Sequence, residues 1–225
     1  MKNIILFDLD GTLIDSTDAI VGTFNYSFKR LKFNFKGNNE DIKNLIGYPL
    51  DVMYEELGVD KKDVQSFVNT YKQRYKDISL DQSYLLNDAI KSLELASSFA
   101  RLGVVTTKTT KYTIPILEKF NIIKYFEVII GRQEVTHPKP HPEPILKAMK
   151  QMNVTSSNFN IYMIGDTKLD LIAAQKANIN GVGVLCGYGK IDDLKQYTDM
   201  LYISTSNAIK KIKQNIEEYK KKLQA

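Results

Sequence analysis

The sequence predicts an α/β protein, a doubly wound parallel sheet interrupted by an inserted all-helical segment, and three observations predict it. Five short apolar runs, at 4–7, 103–107, 127–130, 161–164 and 181–185, have strand length and alternate with stretches of helical periodicity. Residues 15 to about 82 show helical periodicity and no strand signal, far more chain than the roughly dozen residues that a crossover helix needs. Polar residues gather at the carboxyl ends of the apolar runs, where doubly wound sheets bind ligands. The expected organisation is an α/β core from 1–14 and 83–225, with a helical domain from 15–82 inserted into it.

Ile4 to Phe7 form an apolar, β-prone run that reads as a strand buried on both faces. Ala19, Ile20, Phe24, Phe28 and Leu31 then mark an amphipathic helix, with Ser16 or Thr17 as its expected N-cap. Residues 34–44 are polar, and the stretch around Gly47-Tyr48-Pro49 breaks the chain between helices. Leu50, Met53, Tyr54 and Leu57 make a short helix that Gly58 stops, and 60–78 make another. Helices are then expected at 87–99, 111–120, 142–152, 168–178, 190–197 and 206–224, with a candidate edge strand at 200–203. The last helix places Ile209, Ile212, Ile216, Tyr219 and Leu223 on one face and lysines on the other.

Composition narrows the class. The chain has 225 residues, 43% hydrophobic and 25% charged, which suits a soluble globular protein with one large domain or a domain bearing an insertion. A single cysteine, Cys186, excludes an internal disulfide and fits a reducing compartment. The N-terminus enters the first strand without the pattern of a signal peptide, and no apolar run reaches spanning length, so the expected location is cytoplasmic and away from membranes. A net charge of +5 comes largely from the final helix, and it supports an anionic substrate without pointing to nucleic acid.

The chemistry begins where the first strand ends. Asp8 and Asp10, one residue apart, can share a face there, and Gly11 permits a sharp turn with free N–H groups. Close carboxylates repel, which favours a shared cation or a proton on one of them. Thr106 and Thr107 end the second strand, Lys139 sits in a proline-stiffened loop after the third, and Asp166 and Asp170 follow the fourth. Singly, each has an ordinary explanation: Thr106 and Thr107 as helix caps, Lys139 as a loop lysine, Asp166 as a cap, Asp170 as a surface ion-pair partner. Together they bring acids, hydroxyls and a lysine to one rim of the sheet. His137 and His141 read as loop polars, with no acidic or thiol partner at metal spacing.

The run from Ile4 to Leu13 resembles the first motif of the haloacid dehalogenase superfamily, and Thr106, Lys139 and Asp166–Asp170 resemble its remaining motifs in order. The resemblance covers nearly the whole chain and is closest to the phosphoglycolate phosphatase-like branch, whose helical cap follows the first motif. It implies a Rossmann-like core and a Mg²⁺-dependent phosphatase acting on a small phosphorylated metabolite. Asp8 would be the nucleophile and Asp10 the acid/base, with Thr106 on the phosphoryl oxygens and Lys139 offsetting charge. Mg²⁺ would be held by the Asp8 carboxylate, the Asp10 carbonyl and Asp166, with Asp170 orienting Lys139 or a metal-bound water. Thr107 stands where such phosphatases often have Asn. Independently, a carboxylate attacking a phosphate dianion needs cations to offset repulsion, and an all-oxygen ligand set suits Mg²⁺.

Within the superfamily, the resemblance implies that Asp10 argues against haloacid dehalogenase and phosphonatase chemistry. The absence of histidine from 16–32 weakens a sugar-phosphate mutase, and inorganic pyrophosphate remains an alternative substrate. A non-catalytic phospho-receiver module would be shorter and lack the helical insertion. The expected specificity residues are Gly47, Tyr48 and Arg74, the last paired with Lys76. A monomer or a dimer is expected.

Overall fold

The computed structural model describes residues 2–224. In chain order the core elements are β1 (Lys2–Phe7), α5 (Ala89–Ser97), β4 (Arg101–Val105), α6 (Thr110–Lys119), β5 (Phe126–Ile130), α7 (Glu143–Gln151), β6 (Phe159–Gly165), α8 (Lys168–Lys176), β7 (Asn180–Val184), α9 (Ile191–Leu194), β8 (Leu201–Tyr202) and α10 (Thr205–Gln224). The segment between β1 and α5 supplies β2 (Ile14–Asp15), α1 (Thr17–Arg30), α2 (Asn39–Lys43), α3 (Leu50–Glu56), α4 (Lys61–Ile78) and β3 (Tyr84–Leu85).

Six parallel strands run β5-β4-β1-β6-β7-β8, the doubly wound parallel sheet that the apolar runs predict, and β8 occupies the expected edge. Alternation along β1 sends Ile5 and Phe7 to one face, packed with Leu93, Ile116 and Ile209 of α5, α6 and α10. Ile4 and Leu6 go to the other, against Ile145 and Ala173 of α7 and α8. Phe7 lies level with Val104 and Ile164, so the residues that follow all three strands emerge at one rim. β1 is the switch point, with neighbours reached in opposite directions, and this places Asp8 at its mouth.

The helices of the insertion bury their own cluster, in which Phe24, Phe28, Tyr54, Phe67 and Tyr71 meet ring to ring. Two local details go beyond what the sequence shows there. Asn39–Lys43 form a helix, because Asn38 and Asp41 make a reciprocal capping box at its start that polarity alone does not reveal. Ser16 is the N-cap residue of α1, as expected, but its side chain does not cap: its hydroxyl turns to Asp10, and Asp15 Oδ1 accepts the Thr17 N–H at 2.9 Å. The connections to the sheet are also not plain linkers, since Ile14 pairs with Leu85 and Asp15 with Tyr84 as a short antiparallel ribbon.

At the far end of the chain, Ile209, Ile212 and Ile216 are buried but Tyr219 is 55% exposed, so the apolar face of α10 is not covered along its whole length. The Leu223 side chain lies outside the described residues. Among the described residues, no helix is long and apolar enough to cross a membrane.

Candidate active site

β1 delivers Asp8 into the rim, where the backbone N–H of Asp8 still donates to Ile164 O at 2.9 Å. The chain then turns at Gly11, whose φ of +79° is a left-handed value and whose missing Cβ leaves room for Asp166: a Cβ would stand 2.3 Å from Asp166 Oδ2. Thr12 uses that proximity, its Oγ1 donating to Asp166 Oδ1 at 3.0 Å, while the Tyr188 N–H donates to Oδ2 at 2.8 Å.

Lys139 is the central cation. Its buried Nζ donates to Asp170 Oδ1 at 2.6 Å and to Val105 O at 3.0 Å, and lies 2.9 Å from Asp8 Oδ1. The last contact is an ion pair without hydrogen-bond alignment, which leaves Asp8 Oδ1 buried and without a hydrogen-bond partner. The loop that carries Lys139 is braced by Glu143, which accepts from the N–H groups of Thr136 and His137 at 2.9 and 2.8 Å. Glu143 also stands 3.0 Å from His137 Nδ1, so the two histidines do have an acidic neighbour, contrary to the spacing argument. Both histidines are exposed, unlike the buried Asp8.

Asp170 has a double task. Oδ2 accepts from the N–H and Oγ1 of Thr167, closing the capping box of α8, while Oδ1 holds Lys139. Thr167, not Asp166, therefore starts that helix, and Asp170 is fully buried rather than paired at the surface.

Asp8, Asp166 and Asp170 can each offer an oxygen within 4.8 Å of the others, and all three are buried. Burial, opposed by the Lys139 ammonium and reinforced by the charges of Asp170 and Asp10, pushes the Asp8 carboxyl up to about 7. Burial first, then Asp8 and Asp170, hold Asp166 well above the usual carboxylate range. Lys139 stays protonated against its own burial because Asp170 and Asp8 face it. Three buried carboxylates against one ammonium leave a charge deficit, and the donors are all oxygen. This fits a divalent hard cation.

Asp10 does not join this trio with its carboxylate. It lines a cavity of about 340 Å³ between the sheet rim and the inserted helices, together with Gly47, Tyr48, Tyr71, Lys72, Tyr75, Thr107, Lys108 and Arg132. Gly47 adopts φ +110° at this break, which admits the chain beside Thr167. Thr106 lies just past β4, its N–H donating to Ile130 O at 2.9 Å and its Oγ1 accepting from the Lys108 N–H at 3.1 Å. Neither Thr106 nor Thr107 caps the next helix, whose N-cap is Thr109.

Arg74 is elsewhere. It stacks over the Tyr26 ring at 5.4 Å on another face of α4, and Lys76 is exposed, so neither lines the cavity. Lys72 and Arg132 are the basic side chains that do, along with Lys108, whose place directly after the two threonines was its only sequence signal.

The chain belongs to the haloacid dehalogenase-like hydrolases, whose family profile matches residues 5–184. It is 32% identical to a phosphoglycolate phosphatase from Colwellia psychrerythraea, over 92% of this chain and 95% of that protein. It is 33% identical to a pyrophosphatase from Oceanobacillus iheyensis, over 86% and 88% of the two chains. A haloacid dehalogenase-like family hydrolase from Streptococcus pneumoniae superposes with a TM-score of 0.84 at 28% identity, covering 94% of this chain and 98% of its own.

Proposed function

We propose that this chain is a Mg²⁺-dependent phosphatase that hydrolyses a small phosphorylated metabolite through an aspartyl phosphate on Asp8. One observation carries the reading: Asp8, buried at the switch point, faces Lys139 at 2.9 Å while Asp10, two residues on, lines the cavity beside it. The family membership and the relatives named phosphatases support it.

Asp8 attacks phosphorus, an Asp8 oxygen bonding to it as the bond to the leaving oxygen breaks, and Asp10 gives that oxygen a proton. Water then attacks phosphorus, Asp10 takes its proton, and the bond to Asp8 breaks to release inorganic phosphate. Thr106 donates its hydroxyl proton to a phosphoryl oxygen, an arrangement favoured because the Lys108 N–H already uses Oγ1 as an acceptor. Lys139 offsets charge on Asp8 and the phosphoryl group, held by Asp170 and the Val105 carbonyl. Asp8, the Asp10 carbonyl and Asp166 would hold Mg²⁺, which when bound neutralises charge as two anions approach.

The helical segment, 15–82, acts as a cap over the rim, hinged at the β2–β3 ribbon, and Gly47 and Tyr48 meet the leaving group. The lone cysteine supports a reducing compartment, and we place the enzyme in the cytoplasm. A second reading, inorganic pyrophosphatase, is favoured by the basic side chains Lys72, Lys108 and Arg132 in the cavity and by the pyrophosphatase relative. Assay of a panel of phosphate esters and pyrophosphate with Mg²⁺ decides between them. No release of phosphate from any member would overturn both.

A further inference from the structure

The two oxygens of the Asp10 carboxylate are treated unequally. Oδ1 accepts a hydrogen bond from Ser16 Oγ and lies 3.1 Å from Lys108 Nζ. Among the described residues no hydrogen bond reaches Oδ2, although Asp10 lines the cavity. A carboxylate held by one oxygen has its other oxygen aimed by geometry rather than by chance rotation about χ2.

Lys108 is in turn held along its whole length. Its N–H donates to Thr106 Oγ1 at 3.1 Å and its carbonyl accepts the Arg132 N–H at 3.1 Å. Its ammonium donates to the Tyr75 hydroxyl and stands 4.5 Å from the centre of the Tyr75 ring. Tyr75 is 1% exposed and belongs to α4, in the inserted helices, whereas Lys108 and Asp10 belong to the sheet side. Tyr75 packs edge-on against Tyr112 of α6, whose hydroxyl donates to Lys72 O at 3.0 Å. A chain of contacts thus runs from the helical segment to the Asp10 carboxylate.

We propose that Lys108 is a positioning residue for Asp10: it fixes Oδ1 so that Oδ2 meets the leaving-group oxygen, and Tyr75 braces it from the helical segment. Asp10 is then aligned only while that segment is seated on the rim, which couples closure to proton transfer. The inference rests on the phosphatase reading given above. A buried lysine kept only for stability has no need of a cavity-lining carboxylate as its partner, nor of a brace from a different unit of the fold. Misalignment of a reacting group by about 1 Å costs on the order of 10²-fold in rate. That loss should fall where proton transfer matters most.

The test compares Lys108→Met, Lys108→Arg and Tyr75→Phe with the wild type on alkyl phosphates and on p-nitrophenyl phosphate, each with Mg²⁺ and with melting temperature recorded. Lys108→Met is expected to lower kcat on alkyl phosphates by about 10²-fold with KM nearly unchanged. The aryl ester, whose leaving group needs little protonation, should still form phosphoenzyme at near wild-type rate in a rapid-quench mass measurement. The phosphoenzyme should then accumulate, because the attacking water has lost an aligned base. Lys108→Arg should restore part of kcat, and Tyr75→Phe should show the same pattern more weakly. A loss uniform across esters and for both steps, with a lowered melting temperature, would overturn the proposal in favour of a structural lysine. A raised KM at unchanged kcat would overturn it in favour of direct substrate binding. Wild-type protein inert toward every ester would remove the phosphatase reading and this inference with it.

Discussion

The sheet rim and the inserted helices handle polarity in opposite ways. At the rim, Asp8, Asp166, Asp170 and Lys139 are all buried, and their charges are balanced among themselves except for a deficit that a cation would fill. In the helices, burial belongs to rings, and the cluster around Phe24, Tyr54 and Tyr71 carries no charge. Burying several charges costs more than burying rings unless the geometry is held tightly, so the rim must be rigid and its residues specified one by one. The helices need only fill space and present a face to the cavity. On the phosphatase reading, chemistry belongs to the first region and recognition to the second, and the two meet where Tyr75 of α4 contacts Lys108 beside Asp10.

The largest break in that division is Asp8→Asn, which should abolish turnover on every substrate and any covalent phosphate, read by intact mass after a rapid quench. Melting temperature should hold or rise, because the change removes one of three mutually repelling buried charges. Covalent phosphate in this variant would dismiss Asp8 as the nucleophile. Lys139→Met tests the rigidity itself. It strands Asp8 and Asp170 without their ammonium and should cost about 3–5 kcal/mol of stability, the range for breaking a buried pair. Added Mg²⁺ should recover part of this in thermal melts, and no recovery would count against a cation at the rim.

The rim also carries a pH signature in the metal-free protein. The Asp8 carboxyl sits at about 7 in the folded chain. Its ordinary value is about 4. Between those limits the folded state binds more protons than the unfolded one, so stability falls as pH rises through the window. Mg²⁺ competes with the proton and should flatten the fall, so the gain in melting temperature from Mg²⁺ should be greater at pH 8 than at pH 5. Equal gains at the two pH values would contradict it.

The same contrast explains what the sequence could disclose. Asp8, Thr106 and Asp166 are legible because each stands directly after an apolar strand, and the parallel register brings them out at one rim within a residue of the same level. The same runs give the parallel sheet, but not the order of its strands. Lys108 escaped because nothing local separates a lysine buried against Asp10 from a loop lysine. Ser16 escaped because a hydroxyl before a helix reads as a cap until its real partner is seen. In the insertion, periodicity gives the helices but not which stripe faces the cavity, since both sides of α4 bear basic residues.

The smallest expected effects sharpen this last point, and they come from two residues of one helix. Lys72 and Arg74 are two positions apart on α4, roughly 160° around its axis at 3.6 residues per turn. Lys72 lines the cavity beside Tyr48 and Arg132, while Arg74 lies over Tyr26 on a separate face. If recognition belongs to the cavity stripe, Lys72→Ala should raise KM a few-fold for esters whose leaving group bears a second anion, and leave neutral aryl phosphates unchanged. A single exposed charge is worth about 1 kcal/mol or less, which sets that modest scale. Arg74→Ala should leave the order of substrates untouched and cost at most a few tenths of a kcal/mol through the lost stacking on Tyr26. Tyr48→Ala, in the Gly47 break at the other wall, should reorder substrates more than Lys72→Ala does, because it removes area as well as polarity. The measurement is kcat/KM across one ester panel for all three variants, with melting temperatures beside it. A reordering by Arg74→Ala equal to that by Lys72→Ala would mean that the substrate reaches past the cavity, and that the two faces of α4 are not divided as the structure divides them.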